Sequence, residues 1–151
     1  MTDQAAGPAE SADQLITELA DLVFATAGRL RHGFNSAAAE LDLPPAQALA
    51  LVNLRGSVPM RDLADQLSCD ASNVTGIVDG LERRGLVTRC TDPADRRVKR
   101  LVLTDEGQRR RDVLAARSHD RATELFDLPD GDRQRLRDLL ATVAGTGQRH
   151  P

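Results

Sequence analysis

Residues 60–83 read MRDLADQLSCDASNVTGIVDGLER, and this stretch decides the fold. Met60, Leu63, Ala64 and Leu67 fall at i, i+3, i+4 and i+7, one apolar face of a short helix. Ser68, Cys69 and Asp70 interrupt it, and Val74, Ile77, Val78 and Leu81 repeat the spacing on a second helix. Two short helices with matched apolar faces and a tight polar connection predict a helix-turn-helix. The small Ala64 suits a motif whose helices approach closely near the turn.

At about 100° per residue, the face of the second helix opposite its apolar side carries Ser72, Gly76, Asp79 and Arg83. Asn73, Thr75 and Gly80 flank that spine. Asn can pair bidentately with adenine, Thr offers a methyl to thymine, and a helix N-terminus favours phosphate. The expected DNA contacts on this helix are therefore Ser72, Asn73, Thr75, Gly76 and Arg83. The same residue types also cap helices, a role that Asp70, Ser72 or Asn73 could fill. Gly76 and Gly80 each cost about 1 kcal/mol relative to Ala inside a helix. They also leave room for backbone to come close to DNA.

Downstream, residues 86–91 and 98–103 are rich in Val, Leu and Thr and flank the polar segment 92–97, the pattern of a β-hairpin. Arg96, Arg97, Lys99 and Arg100 place four cations in five residues at its tip. Such a tip repels itself unless a polyanion or nearby acids offset it. Asp95 is close enough in sequence to hold one arginine. An Arg inserted into a narrow minor groove reads its shape.

The chain as a whole carries a net charge of −3. That sum hides an asymmetry: residues 1–59 hold three Arg against seven acids, net −4, whereas residues 83–100 hold seven cations against Asp92 and Asp95, net +5. Screening confines the field to about 8–10 Å at cellular salt, so only a local footprint has to be positive. The longest run without a charge is twelve residues, 43–54, too short to span a bilayer, and the N-terminus lacks a leader pattern. A cytoplasmic protein with no membrane partner is expected. Cys69 and Cys90 form neither a disulfide framework nor a metal-ligand spacing, so no cofactor or metal is expected. No nucleophile–base pair or metal cluster suggests an enzyme.

Ile16, Val23, Leu30 and Ala37 recur every seven residues on a long first helix, widened by Leu15, Leu19 and Leu22. Leu43-Pro44-Pro45 ends it, and a short helix over 46–54 follows. Thr104 can cap a further helix, with Asp105 and Glu106 in its first turn. Pro129 breaks that helix before a last one bearing Leu136, Leu139, Leu140, Val143 and Ala144. The outer helices have little in their own chain to cover their stripes, and pairing with a second copy is the natural remedy. The expected fold is thus mainly α with a small β-hairpin wing. A winged helix-turn-helix lobe spans 44–103, helical dimerisation regions span 11–43 and 104–146, and tails occupy 1–10 and 147–151.

From residue 43 to 107 these features resemble the MarR family of bacterial transcriptional regulators. The wing matches its Asp-x-Arg followed by Leu-Thr, here Asp95, Arg97, Leu103 and Thr104, with Gly107 in the usual place. Residues 74–79 and 81–87 are similar to the family's recognition helix and its exit into the hairpin. The resemblance implies a homodimeric repressor on a pseudo-palindromic operator in double-stranded DNA. It implies that Ser72, Asn73 and Thr75 face bases, that Arg97, oriented by Asp95, enters the minor groove, and that Arg96 and Lys99 meet phosphates. It also implies release by a small, often phenolic, effector, for which Phe24, Arg31, His32 and Phe34 are the candidate pocket. The chain departs from its relatives at Gly80, where a basic or bulky polar residue is common, and in having only three aromatic residues. Two other readings stand beside this one: redox sensing through Cys69, and a protein-interaction module without DNA binding, for which so basic a wing would be superfluous.

Overall fold

The computed structural model describes residues 8–146, which fold as six helices and a three-stranded antiparallel sheet. The first helix, α1 (Pro8–Ala39), begins three residues ahead of the expected start at Ser11. The remainder of the two expected tails lies outside the described residues. Pro44 precedes α2 (Pro45–Asn53), whose first position is a proline, where the missing N–H has no helical partner to lose. Beyond α2, a two-residue strand β1 (Val58–Pro59) leads into the next helix.

Helix α3 (Met60–Leu67) and helix α4 (Ala71–Arg83) are the two halves of the helix-turn-helix. Between them Ser68 takes a left-handed conformation (φ 49°, ψ 43°), and the Cys69 N–H donates to the Ala64 carbonyl, 3.1 Å. This closes the last turn of α3 within two residues. Strands β2 (Val87–Thr91) and β3 (Lys99–Leu103) form the hairpin, with Val87 opposite Leu103 and Thr91 opposite Lys99. Strand β1 adds to the other edge of β3, pairing Val58 with Leu101. The chain ends in α5 (Asp105–Leu125) and α6 (Asp130–Val143).

One apolar core serves the lobe. Leu51 from α2 and Leu54 just after it, Leu63 from α3, Val74, Val78 and Leu81 from α4, and Val87 and Leu101 from the sheet are sealed from water. Ala37 and Ala38 at the end of α1 and Leu114 of α5 close it from the other side. Elsewhere the outer helices bury little: no residue from 12 to 36 is buried, and none in α6.

Arginines of α5 fasten the lobe to this frame. Arg110 Nη1 donates to the Leu41 carbonyl at 2.8 Å and Arg111 Nη1 to the Leu54 carbonyl at 3.0 Å, where α1 and α2 end. Both serve carbonyls left without helical partners. Arg117 and Arg121 share Glu40. Thr104 caps α5 as expected: its hydroxyl accepts from the Gly107 N–H (3.0 Å) and donates to the Gly85 carbonyl (2.7 Å). A Cβ on Gly107 would collide with the Leu86 carbonyl, which accounts for a glycine there.

Candidate nucleic-acid interface

The apolar spacing of α4 turns Val74, Val78 and Leu81 inward and leaves Ser72, Asn73, Thr75, Gly76 and Arg83 exposed on its other side. Asp70 stands at the N-cap position (φ −66°, ψ 151°) but its side chain makes no capping bond. Ser72 and Asn73 lie in the first turn and are exposed. A Cβ on Gly76 would meet nothing within 4 Å.

Two residues of the expected outward face belong elsewhere. Gly80 is buried, not flanking, because α4 rests there on α2: a Cβ would come within 2.9 Å of Gln47 Cδ. A side chain at 80 would therefore press on the Gln47 amide of α2, not point to open solvent. Asp79 is turned toward the hairpin, where its Oδ1 accepts from Arg89 Nη2 at 2.6 Å. The Arg89 Nη1 pairs with Glu82, whose Oε1 also accepts from the Arg89 backbone N–H at 3.1 Å. A helical wheel records angle alone, and both residues lie on a flank that a neighbouring element covers.

At the wing tip, the four cations divide into two pairs. Arg100 is anchored: its Nη1 donates to Asp92 (2.9 Å), its Nε to the Ser57 hydroxyl (2.7 Å) and its Nη2 to the Ser57 carbonyl (2.6 Å). Lys99 Nζ donates to Thr91 Oγ1 across the hairpin at 3.0 Å and stays exposed. Arg96 and Arg97 project from the loop, and among the described residues neither guanidinium meets an acceptor.

The acids of this tip shape its backbone. Asp95 was expected to hold one arginine; its Oδ1 accepts the Arg97 backbone N–H (2.9 Å), and the guanidinium itself extends beyond that contact. Asp92 Oδ1 accepts from the N–H groups of Ala94 (2.8 Å) and Asp95 (3.4 Å). The Ala94 N–H first, and Arg100 second, hold the Asp92 carboxyl below its ordinary value of 3.8. Sequence spacing had pointed neither to Ser57 as a partner of Arg100 nor to Arg89 as a partner of two helix acids. The usable signal for Arg89 was two acids at i and i+3 on the flank of α4, followed by a cation in the next strand.

The four pocket candidates do not come together. Phe24 is 76% exposed, Arg31 and His32 are exposed on α1, and Phe34 packs against the lobe core. His32 alone among them lines a groove of about 460 Å³ between α1 and α5, with Arg29, Gly33, Arg121, Ala122 and Glu124. Cys69 is half-buried in the turn, its thiol donating to the Leu67 carbonyl at 3.3 Å, and Cys90 is exposed on β2.

Comparison with known proteins agrees with this geometry. The MarR family profile matches residues 43–99, the lobe without the last residues of β3. The HTH-type transcriptional repressor MdtR of Bacillus subtilis is 30% identical over 138 residues, covering 89% of each chain. Among solved structures, a MarR-family transcriptional regulator from Rhodococcus sp. RHA1 is 32% identical with a TM-score of 0.70, covering 86% of this chain and 94% of its own. CouR from Rhodococcus jostii RHA1, solved bound to p-coumaroyl-CoA, is 32% identical with a TM-score of 0.69, covering 87% and 95%. No described helix is long and apolar enough to cross a membrane. The likeness to a repressor extends through the outer helices as well as the lobe, and this chain belongs to the MarR family of DNA-binding transcriptional regulators.

Proposed function

We propose that the protein is a cytoplasmic, homodimeric repressor that binds a pseudo-palindromic operator and is released by a small anionic or phenolic effector. The observation that carries the reading is the joint exposure, on one lobe, of a polar helix face and two arginines that meet no acceptor among the described residues. In this reading Ser72, Asn73 and Thr75 meet base edges in a major groove, the Gly76 backbone allows close approach and Arg83 meets phosphates. Arg97 suits the adjacent minor groove, with Asp95 acting on its backbone, while Arg96 and Lys99 suit phosphates.

The homodimer is supported by the uncovered apolar residues of α1 and α6, which the corresponding faces of a second copy would cover. For the effector, the α1–α5 groove, which His32 of the expected pocket lines, is the proposed binding place. Arg29 and Arg121 line it with His32 and Glu124, offering guanidinium donors to a carboxylate or phenolate. The ligand of CouR, a relative at 32% identity, is consistent with an anionic effector.

A mobility-shift titration with DNA from the gene's own neighbourhood, at several salt concentrations, tests the reading. Affinity for a specific fragment should fall by about 0.9 log units per neutralised phosphate per log unit of salt. No preference for any fragment would sink it. Arg97→Ala is expected to weaken the specific complex by about 1–3 kcal/mol, the scale of a groove contact.

A further inference from the structure

Asp79 and Glu82 stand almost one turn apart on a flank of α4, beside the face that carries Ser72, Asn73 and Thr75. Carboxylates on a helix entering a DNA groove are repelled by phosphates unless a cation offsets them. Here a single side chain, Arg89 on β2, takes both. Its Nη2 meets Asp79 at 2.6 Å, its Nη1 meets Glu82, and its main chain donates to Glu82 as well.

The three side chains keep 27%, 43% and 31% of their surface for Arg89, Asp79 and Glu82, so water screens the cluster. It is accordingly a weak source of stability. Its geometry is nonetheless specific, because a planar guanidinium presents fixed donor directions to two acceptors, which an ammonium cannot reproduce. Only residues 84–86 separate α4 from β2, and Gly85 among them has φ +68°. Beneath this joint Val78, Leu81 and Val87 set the distance between helix and strand. Apolar contact is non-directional and leaves their relative twist to other forces. Two residues past Arg89, Thr91 pairs with Lys99, and Asp92 then anchors Arg100.

From this we infer that Arg89 is a positioning residue, fixing the recognition helix and the wing at one mutual angle so that both reach DNA in a single register. The inference rests on the reading of α4 and the wing as the elements that contact DNA. A bracket formed before DNA arrives lowers the ordering cost of binding the correct site. It does nothing for a site where the two elements have no common register to find.

The test uses the full chain, a duplex that the wild-type protein selects from a randomised pool, and a scrambled duplex of equal length and composition. Arg89→Met is expected to lower the ratio of selected to scrambled affinity about tenfold or more, the scale of a lost groove contact. Arg89→Lys keeps a charge and a similar stem, so it carries the test even where Arg89→Met fails to fold. It should fall between wild type and Arg89→Met. The triple variant Asp79→Asn, Glu82→Gln, Arg89→Met removes the stranded acids too. It should recover affinity for the scrambled duplex without recovering the ratio. A restored ratio would overturn the inference, since Arg89 would then serve only to neutralise two acids. An unchanged ratio in both single variants would overturn it too. A wild-type chain that enriches no sequence removes the sequence-reading function itself, and the inference with it.

Discussion

In the lobe of residues 44–103, Leu51, Leu54, Leu63, Leu81 and Leu101 are wholly sealed from water. On the outer helices, Ile16, Leu22, Phe24, Leu139 and Val143 are each more than six-tenths exposed. The two regions have comparable apolar side chains and put them to opposite use. The lobe consumes its own surface and is complete within one chain. The outer helices hold theirs out, so their energetics wait for something to cover them. An apolar stripe in a sequence thus reports that a face will be buried, without reporting by which chain.

The contrast can be broken most forcefully from the lobe side. Leu81→Ala removes a fully buried side chain from the recognition helix and is expected to cost about 2–5 kcal/mol in chemical denaturation. A cost near zero would mean the lobe core is less closed than it looks. From the other side, Leu22→Asp leaves the monomer's own packing untouched. Light scattering should show it weakening self-association by about 2 kcal/mol or more, as for an apolar anchor lost from an interface. A dimer of unchanged affinity would place the contact elsewhere.

A smaller effect separates the two glycines of α4. Gly76→Ala meets open space in an exposed helix and should raise stability by about 1 kcal/mol. If DNA affinity falls while stability rises, the backbone at 76 lies close to the operator. Unchanged affinity would place DNA farther away.

The smallest expected effect lies at the wing tip. Because the folded state lowers the Asp92 pKa, its contribution to stability is complete above the unfolded value and is lost as pH falls through the folded one. NMR titration of the Asp92 carboxyl should give a midpoint below 3.8, and Arg100→Met should move it back only part of the way, since the Ala94 N–H contributes most. An unshifted midpoint would mean the tip is not held by its aspartate.

How far these features were legible differs residue by residue. Thr104 was readable because its capping role is local, fixed by Asp105, Glu106 and the start of the next apolar pattern. The inward residues of α4 were readable because helical periodicity is a property of neighbours in sequence. Asp79 and Gly80 were misplaced for the same reason: what covers a flank is a strand or helix distant in sequence, here β2 and α2. The Arg100–Ser57 contact joins residues 43 positions apart, beyond any local rule. Phe24 and Phe34, two of the expected pocket residues, share a helix but lie ten residues apart, one in solvent and the other on the core. Aromatic scarcity drew attention to those rings, although the groove that exists is lined mainly by small and charged residues.

The seat of α5 on the hairpin has a mechanical meaning. Thr104 grips the Gly85 carbonyl, its N–H donates to the Leu86 carbonyl at 3.1 Å, and Gly107 lies against that same carbonyl without room for one carbon. This is a joint without play. A displacement of α5, whatever its origin among the outer helices, has no slack to absorb it before it reaches residues 85 and 86, where the recognition helix ends and the wing begins. Thr104 and the bare Gly107 are thus the points at which α5 bears directly on residues 85 and 86, beside the arginines that tie it to the ends of α1 and α2.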